Sequence, residues 1–173
     1  MHVSIVSHDA TWSQKFSDEA DRIWETLGQN VSAIHHIGST CIPNIRAKPI
    51  IDILVEVSQI ERVDDQTECM NELGYEACGE YGISGRRYFR KPNHGGQRAF
   101  HVHVFQSGSE HVLEHIAFRD YLLAHPDIAR HYSDLKTKLI ANGVSSSVEY
   151  QKLKAPFIEA SVADAIEWSR HRY

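Results

Sequence analysis

Cysteine is the first thing this sequence has little of. Cysteine occurs three times in 173 residues, at Cys41, Cys69 and Cys78. The number is odd and no pair has CxxC spacing. That favours reduced thiols in the cytoplasm over a disulfide framework or a cysteine-based zinc site. No apolar run approaches the roughly 18 residues of a membrane-spanning helix, so no membrane partner is expected. The opening MHVSIVSHDATW holds neither a basic n-region nor an apolar h-region, and no secretory signal is expected. Excess positive charge is missing as well. The formal net charge is −5, which argues against general nucleic-acid binding. One more absence is local. Between Tyr81 and Ser109 there is no acid, yet Arg86, Arg87, Arg90, Lys91 and Arg98 all fall there. A cationic stripe on an acidic chain points to a small polyanion held in one place; the alternative is a solvated hairpin with chance clustering.

What is present suits an ordinary globular fold. Apolar residues make up 42% and charged residues 24%, and the length suffices to bury a core without staples. Trp12, Phe16, Ala20, Ile23, Trp24 and Leu27 recur at helical steps, which predicts a helix over 9–27 with these residues, aromatics included, in the core. Strands are predicted over 31–37, 50–57, 75–78, 86–91 and 98–105, the last two paired across the turn PNHGGQ. A helix is predicted over 59–73, and three more over 110–125, 127–141 and 147–169. No repeat, low-complexity tract or linker divides the chain. The order implies an α+β fold with a mixed β-sheet flanked by helices and a helical C-terminal part. We read 1–173 as a single domain, with an α/β core over 1–108 and the helices of 109–173 packed on it.

Two strands carry polar groups where a buried strand has no use for them. In IIDILVEV, alternation puts Ile51, Ile53, Val55 and Val57 on one aliphatic face and Ile50, Asp52, Leu54 and Glu56 on the other. Asp52 and Glu56 stand roughly 13 Å apart along the strand, too far to share one metal. Asp52 is therefore the candidate, and Glu56 is expected to be solvated. In RAFHVHVF, His101 and His103 share a face with Phe105. Their Cα atoms are roughly 6.6 Å apart, a spacing that suits joint metal ligation or one ligand and one proton donor. The bland alternative for both strands is a polar face in water.

Gly38, Ser39 and Thr40 follow the first strand. Glycine lets a backbone approach a phosphate closely, and neighbouring N–H groups and hydroxyls complete an anion-binding concavity. The acid Asp52 follows Ser39 by thirteen residues.

The stretch HIGSTCIPNIRAKPIIDIL resembles the signature of the GrpB family. GISGRRYFRK, HVHV, HIAFRDYLLAHP and the Tyr150–Lys154 pair extend the likeness over essentially the whole chain. That family is similar in turn to the nucleotidyltransferase superfamily, in which a Gly-Ser turn grips nucleotide phosphates and acids on following strands hold two magnesium ions. The resemblance implies a nucleotidyltransferase-like sheet with Gly38, Ser39 and Thr40 on the phosphate turn and Asp52 as the first catalytic acid. It also shows departures. Leu54 stands where a second acid is expected, His101 and His103 stand where a later acid is expected, and Asn44 replaces a loop glycine. Asn tolerates the left-handed backbone best among non-glycine residues.

The leading expectation is a nucleotidyltransferase-like enzyme using an NTP and a divalent metal, Mg²⁺ or Mn²⁺ with Zn²⁺ as the alternative, to modify a small molecule or protein. Asp52 and His103 are its candidate catalytic residues. Asp52, His101 and His103 are candidate metal ligands. Gly38, Ser39, Thr40, Lys48, Arg86, Arg87 and Arg90 are candidate phosphate contacts. Since alternate strand residues face opposite ways, only one of the sets Arg86/Arg90 and Arg87/Lys91 can reach such a site. Two other readings are a non-catalytic nucleotide- or phosphate-binding module and a metal-dependent phosphoesterase built on His101 and His103.

Overall fold

The computed structural model describes residues 3–172. The chain divides into two units, one made of segments 10–38 and 50–112 and the other of 3–9, 39–49 and 113–172. It passes between them at Asp9–Ala10, at the Gly38–Ser39 peptide bond, at Pro49–Ile50 and within a helix that begins at Glu110.

The first unit is built on a five-stranded mixed sheet. Its elements are α1 (Trp12–Leu27), β1 (Val31–Ile37), β2 (Ile51–Val57), α2 (Thr67–Glu72), β3 (Glu76–Ala77), β4 (Arg87–Pro92) and β5 (Arg98–Gln106). The strand order is β1-β2-β5-β4-β3. Only the central β2–β5 pair is parallel, which is the arrangement a long crossover through 58–97 requires. Ile51, Ile53, Val55, Val57, Val102 and Val104 are buried, as the aliphatic face of the sequence demands. That face lies under α1, whose Phe16 stacks on His36 of β1 at 4.7 Å.

The periodicity of α1 is borne out at Trp12, Ile23 and Leu27, which are buried, and fails at Trp24, which is 46% exposed. An inward position on α1 is instead taken by Glu19, only 1% exposed. Its carboxylate accepts from Tyr75 Oη and Lys91 Nζ, both at 2.8 Å, and from Arg22 Nη1 at 3.1 Å. The helix expected over 59–73 is a 3₁₀ segment, Ile60–Gln66, followed by the short α2.

The second unit is helical: α3 (Glu110–Ala124), α4 (Pro126–Ala141) and α5 (Ser147–Arg170). Ser146 caps α5 by accepting from the Glu149 backbone N–H, in keeping with the preference of serine for helix starts. Its core explains why the loop after Gly38 belongs here. Ile42 and Ile45 are buried with Leu122, Ala129 and Tyr132, and Ala47 and Val6 exchange two backbone hydrogen bonds. Asn44 lies between the two buried isoleucines at φ 65°, the left-handed conformation expected of the residue that replaces glycine.

Candidate functional site

The register of the sheet determines which side chains meet. Asp52 lies opposite Ile37 on one side and His101 on the other, and His101 in turn lies opposite Arg90. One row along, His35, Leu54, His103 and Tyr88 are paired. Cross-strand partners project from the same face. Asp52, His101, His103, Tyr88, Arg90 and Arg86 therefore share the face opposite α1.

Asp52 is the hub. His103 Nε2 lies 3.2 Å and His101 Nδ1 3.7 Å from its Oδ1. Gly38 closes the other side. A Cβ built on Gly38 would stand 2.7 Å from Asp52 Oδ2, and the residue sits at φ 75°. Glycine is required here twice over, for its backbone conformation and for room beside the carboxylate.

The imidazole of His103 is held in one tautomer. Arg86 Nη1 lies 3.3 Å from Nδ1. A guanidinium has donors and no acceptor, so Nδ1 accepts and the ring proton resides on Nε2, from which it is donated to Asp52. A histidine that ligates a metal through Nε2 carries its proton on Nδ1 and passes it to an acceptor. Ligation by His103 Nε2 thus requires the Arg86 contact to break.

The cationic hairpin resolves into separate roles. Arg86 is 7% exposed, and its other donors go to the carbonyls of Glu80 at 3.1 Å and Tyr81 at 2.8 Å. Its guanidinium lies 4.8 Å from the Tyr88 ring centroid, and burial holds its pKa below the usual arginine value. Arg86 therefore orders the loop before β4 and the His103 ring. Arg90 shares the Asp52 face and binds Glu76 with two nitrogens, at 2.8 and 3.1 Å. Arg87 faces the other way and binds Asp64, and Lys91 reaches Glu19. Between the two sets, Arg86 and Arg90 are the pair on the Asp52 face. Glu56 departs from expectation: it is not solvated but bonded to His35 at 2.6 Å, its side chain 17% exposed. Burial, with the charge of Asp52 second, raises the Tyr88 hydroxyl to about 12.

Among the described residues, no group of three or more His, Cys, Asp or Glu side chains is arranged to hold a metal ion. The donors that do converge are the half-buried carboxylate of Asp52 and the imidazoles of His103 and His101. Mg²⁺ is commonly held by one or two carboxylates, with waters and substrate phosphates completing its shell. Asp52 fits that role better than it fits the three-ligand shell of catalytic zinc.

The remaining expected phosphate contacts lie in the helical unit. Ser39 opens a 3₁₀ turn, Ser39–Cys41, and Thr40 is buried. Ser39 Oγ accepts from Lys136 Nζ at 3.0 Å. Lys48 Nζ lies 4.7 Å from the centroid of the Tyr150 ring, with Lys154 Nζ 4.5 Å from it. Sequence reasoning missed Lys136 and passed over Lys154. Both were signalled by a tyrosine four residues earlier, Tyr132 and Tyr150, which places each lysine on the buried stripe of its helix.

Comparison with known proteins supplies the family. The family model described as GrpB protein matches residues 2–164. The UPF0157 protein YqkA of Bacillus subtilis is 43% identical over 98% of this chain, which spans only 49% of YqkA's length. The glutamate-rich protein GrpB of Alkalihalophilus pseudofirmus is 32% identical, over 91% of this chain and 92% of that one. The crystal structure of conserved protein GrpB from Enterococcus faecalis superposes with a TM-score of 0.91 at 38% identity, covering 96% of this chain and 99% of that one. The chain belongs to the GrpB family.

Proposed function

We propose that this chain is a nucleotidyltransferase-like protein that binds a nucleoside triphosphate with a divalent cation and transfers a nucleotidyl group to a small-molecule or protein acceptor. The observation that carries the reading is the contact between Gly38 and Asp52. The glycine of the hydroxyl-bearing turn is pressed against the carboxylate of the next strand. Asp52 is the residue that would hold Mg²⁺ or Mn²⁺, and the cation would supply neutralisation of charge on the reacting phosphate oxygens. His103 donates to Asp52 and fixes the carboxylate's orientation, while Arg86 fixes His103. The test is pyrophosphate release from each of the four NTPs with Mg²⁺ or Mn²⁺, alongside labelling of an acceptor fraction. Activity present in the native chain and lost in Asp52→Asn supports the reading. Absence of turnover with every nucleotide removes the transferase assignment.

One observation favours a second reading. Leu54, where a second acid is expected, is fully buried, in one row with His35 and His103. A protein that keeps nucleotide binding without transfer is consistent with that packing. Saturable NTP binding without pyrophosphate release would select it.

A further inference from the structure

Tyr81, at the start of the acid-free stretch, is 59% exposed. A single exposed aromatic is ordinary on a protein surface and by itself implies nothing. Its backbone is not ordinary. Tyr81 stands at φ 49°, and apart from Asn44 it is the only non-glycine residue at positive φ among the described residues. L side chains avoid this conformation, and bulky ones avoid it most. Gly79, Gly82 and Gly85 take the other positive-φ positions of the same loop, and a glycine at 81 would remove the strain. An aromatic ring is held there instead.

The ring has a fixed place. It stacks on Tyr88 of β4, with centroids 5.1 Å apart and planes inclined by 23°. The Arg90 guanidinium lies 5.6 Å from its centroid. Tyr88 in turn meets the rings of His101 at 5.6 Å and His103 at 5.3 Å. With one ring face on Tyr88 and more than half of the residue exposed, the opposite face of Tyr81 is open to solvent.

The backbone of the loop is tied to the same point. Arg86 donates to the Tyr81 carbonyl at 2.8 Å and to the Glu80 carbonyl at 3.1 Å, and its remaining contact is His103 Nδ1 at 3.3 Å. The Tyr88 backbone N–H closes the loop by donating to the Gly79 carbonyl at 2.8 Å. The Glu80 carboxylate accepts from the Gly85 backbone N–H. One buried guanidinium thus fixes the tyrosine and the His103–Asp52 pair relative to each other.

We propose that Tyr81 is the stacking platform for the nucleobase of the substrate, its outer ring face covering the base while the phosphates lie toward Gly38 and Asp52. The assignment rests on the nucleotide reading above and adds to it the place of the base. A tyrosine ring backed by a second ring and edged by a guanidinium presents the surface that a flat aromatic ligand stacks on. A ring already fixed loses no rotamer freedom when the ligand arrives. The reach is suitable as well. In the strand order β4 lies two spacings from β2, roughly 10 Å, a gap that a ribose and its phosphate chain can bridge.

The experiment is calorimetric titration of the whole chain with each of the four NTPs and Mg²⁺, and with inorganic tripolyphosphate as the probe that lacks a base. The variant is Tyr81→Gly, because glycine keeps the φ of the loop and Arg86 binds a main-chain carbonyl there. Expected is an NTP dissociation constant raised about fivefold to a hundredfold, the range for truncating a stacking aromatic. Affinity for tripolyphosphate, strong or negligible, should be the same in both proteins. Tyr81→Trp should keep NTP affinity, and its added indole fluorescence should be quenched by NTP but not by tripolyphosphate. Circular dichroism and thermal unfolding of each variant separate lost binding from lost fold. Equal NTP affinity in the native chain and Tyr81→Gly overturns the platform and leaves the nucleotide reading in place. Equal loss of NTP and tripolyphosphate affinity also overturns it, since Tyr81 would then act through the loop and not on the base. Absence of NTP binding by the native chain overturns the nucleotide reading, and the platform with it.

Discussion

Gly38 and Asp52 are held so close that a methyl group on the glycine would meet the carboxylate oxygen at 2.7 Å. The contact follows from register: Ile37 pairs with Asp52, so the turn that leaves β1 must pass over the acid. Gly38→Ala is expected to lower stability by about 1–2 kcal/mol, the cost of placing an L side chain at positive φ, and to turn Asp52 away from its place. Urea unfolding measures the first effect and cation binding the second. A variant as stable as the native chain with unchanged Mn²⁺ affinity would show that the contact is incidental.

The Arg86–His103–Asp52 chain of hydrogen bonds makes a spectroscopic prediction. Long-range ¹H–¹⁵N correlation should show His103 as the neutral Nε2–H tautomer, since Arg86 can only donate to Nδ1. Arg86→Met should let the Nδ1–H form appear. It should also lower stability by about 1–3 kcal/mol, because the Glu80 and Tyr81 carbonyls lose their donor. A native spectrum with the proton on Nδ1 would contradict the assignment.

How far the sequence could be read depended on whether a residue's fate was set locally. Period-two alternation made the two faces of β2 and β5 legible, because in both strands one face is wholly aliphatic and can only point inward. The same alternation separated Arg86 and Arg90 from Arg87 and Lys91, but only the pairing of Arg90 with His101 showed which set shares a face with Asp52. Trp24 was misread, and Glu19 went unnoticed, because helical periodicity counts apolar residues. It does not register that an acid meeting Tyr75, Lys91 and Arg22 can be buried more completely than a tryptophan. Glu56 was misread for the same reason: its partner His35 lies on a different strand. Lys136 was invisible because Ser39, its partner, is 97 residues away.

Glu19 is expected to be among the most sensitive positions of the sheet unit. Its carboxylate collects Tyr75, Lys91 and Arg22 while 1% exposed, and burial, with Glu19 second, drives the Tyr75 hydroxyl well above its usual range. Glu19→Ala leaves two cations and a phenol without their acceptor and should cost about 3–5 kcal/mol. Lys91→Met should cost less, because two donors to Glu19 remain. A double-mutant cycle in urea should give a favourable Glu19–Lys91 coupling. Additive effects would show that Lys91 is held by its stem packing alone.

Lys136 sets the sign of a pH dependence. Its pKa is about 7 in the folded chain against an ordinary 10.5, so between these values the unfolded chain binds a proton that the native one does not. Stability then rises with pH across that window, by at most about 1.4 kcal/mol per unit from this group. Below pH 7 both states are protonated and the full penalty of the buried ammonium is present. Above about pH 10 the raised hydroxyls of Tyr75 and Tyr150 act in the opposite sense, so the clean interval ends near pH 9.5. Lys136→Met removes the penalty. It should be more stable than the native chain at neutral pH, with an advantage that shrinks as the pH is raised. Urea unfolding of both proteins across this interval checks the slope. Parallel stability curves, or a variant less stable at pH 7 than at pH 9 relative to the native chain, would mean that Lys136 is not held as a strained cation.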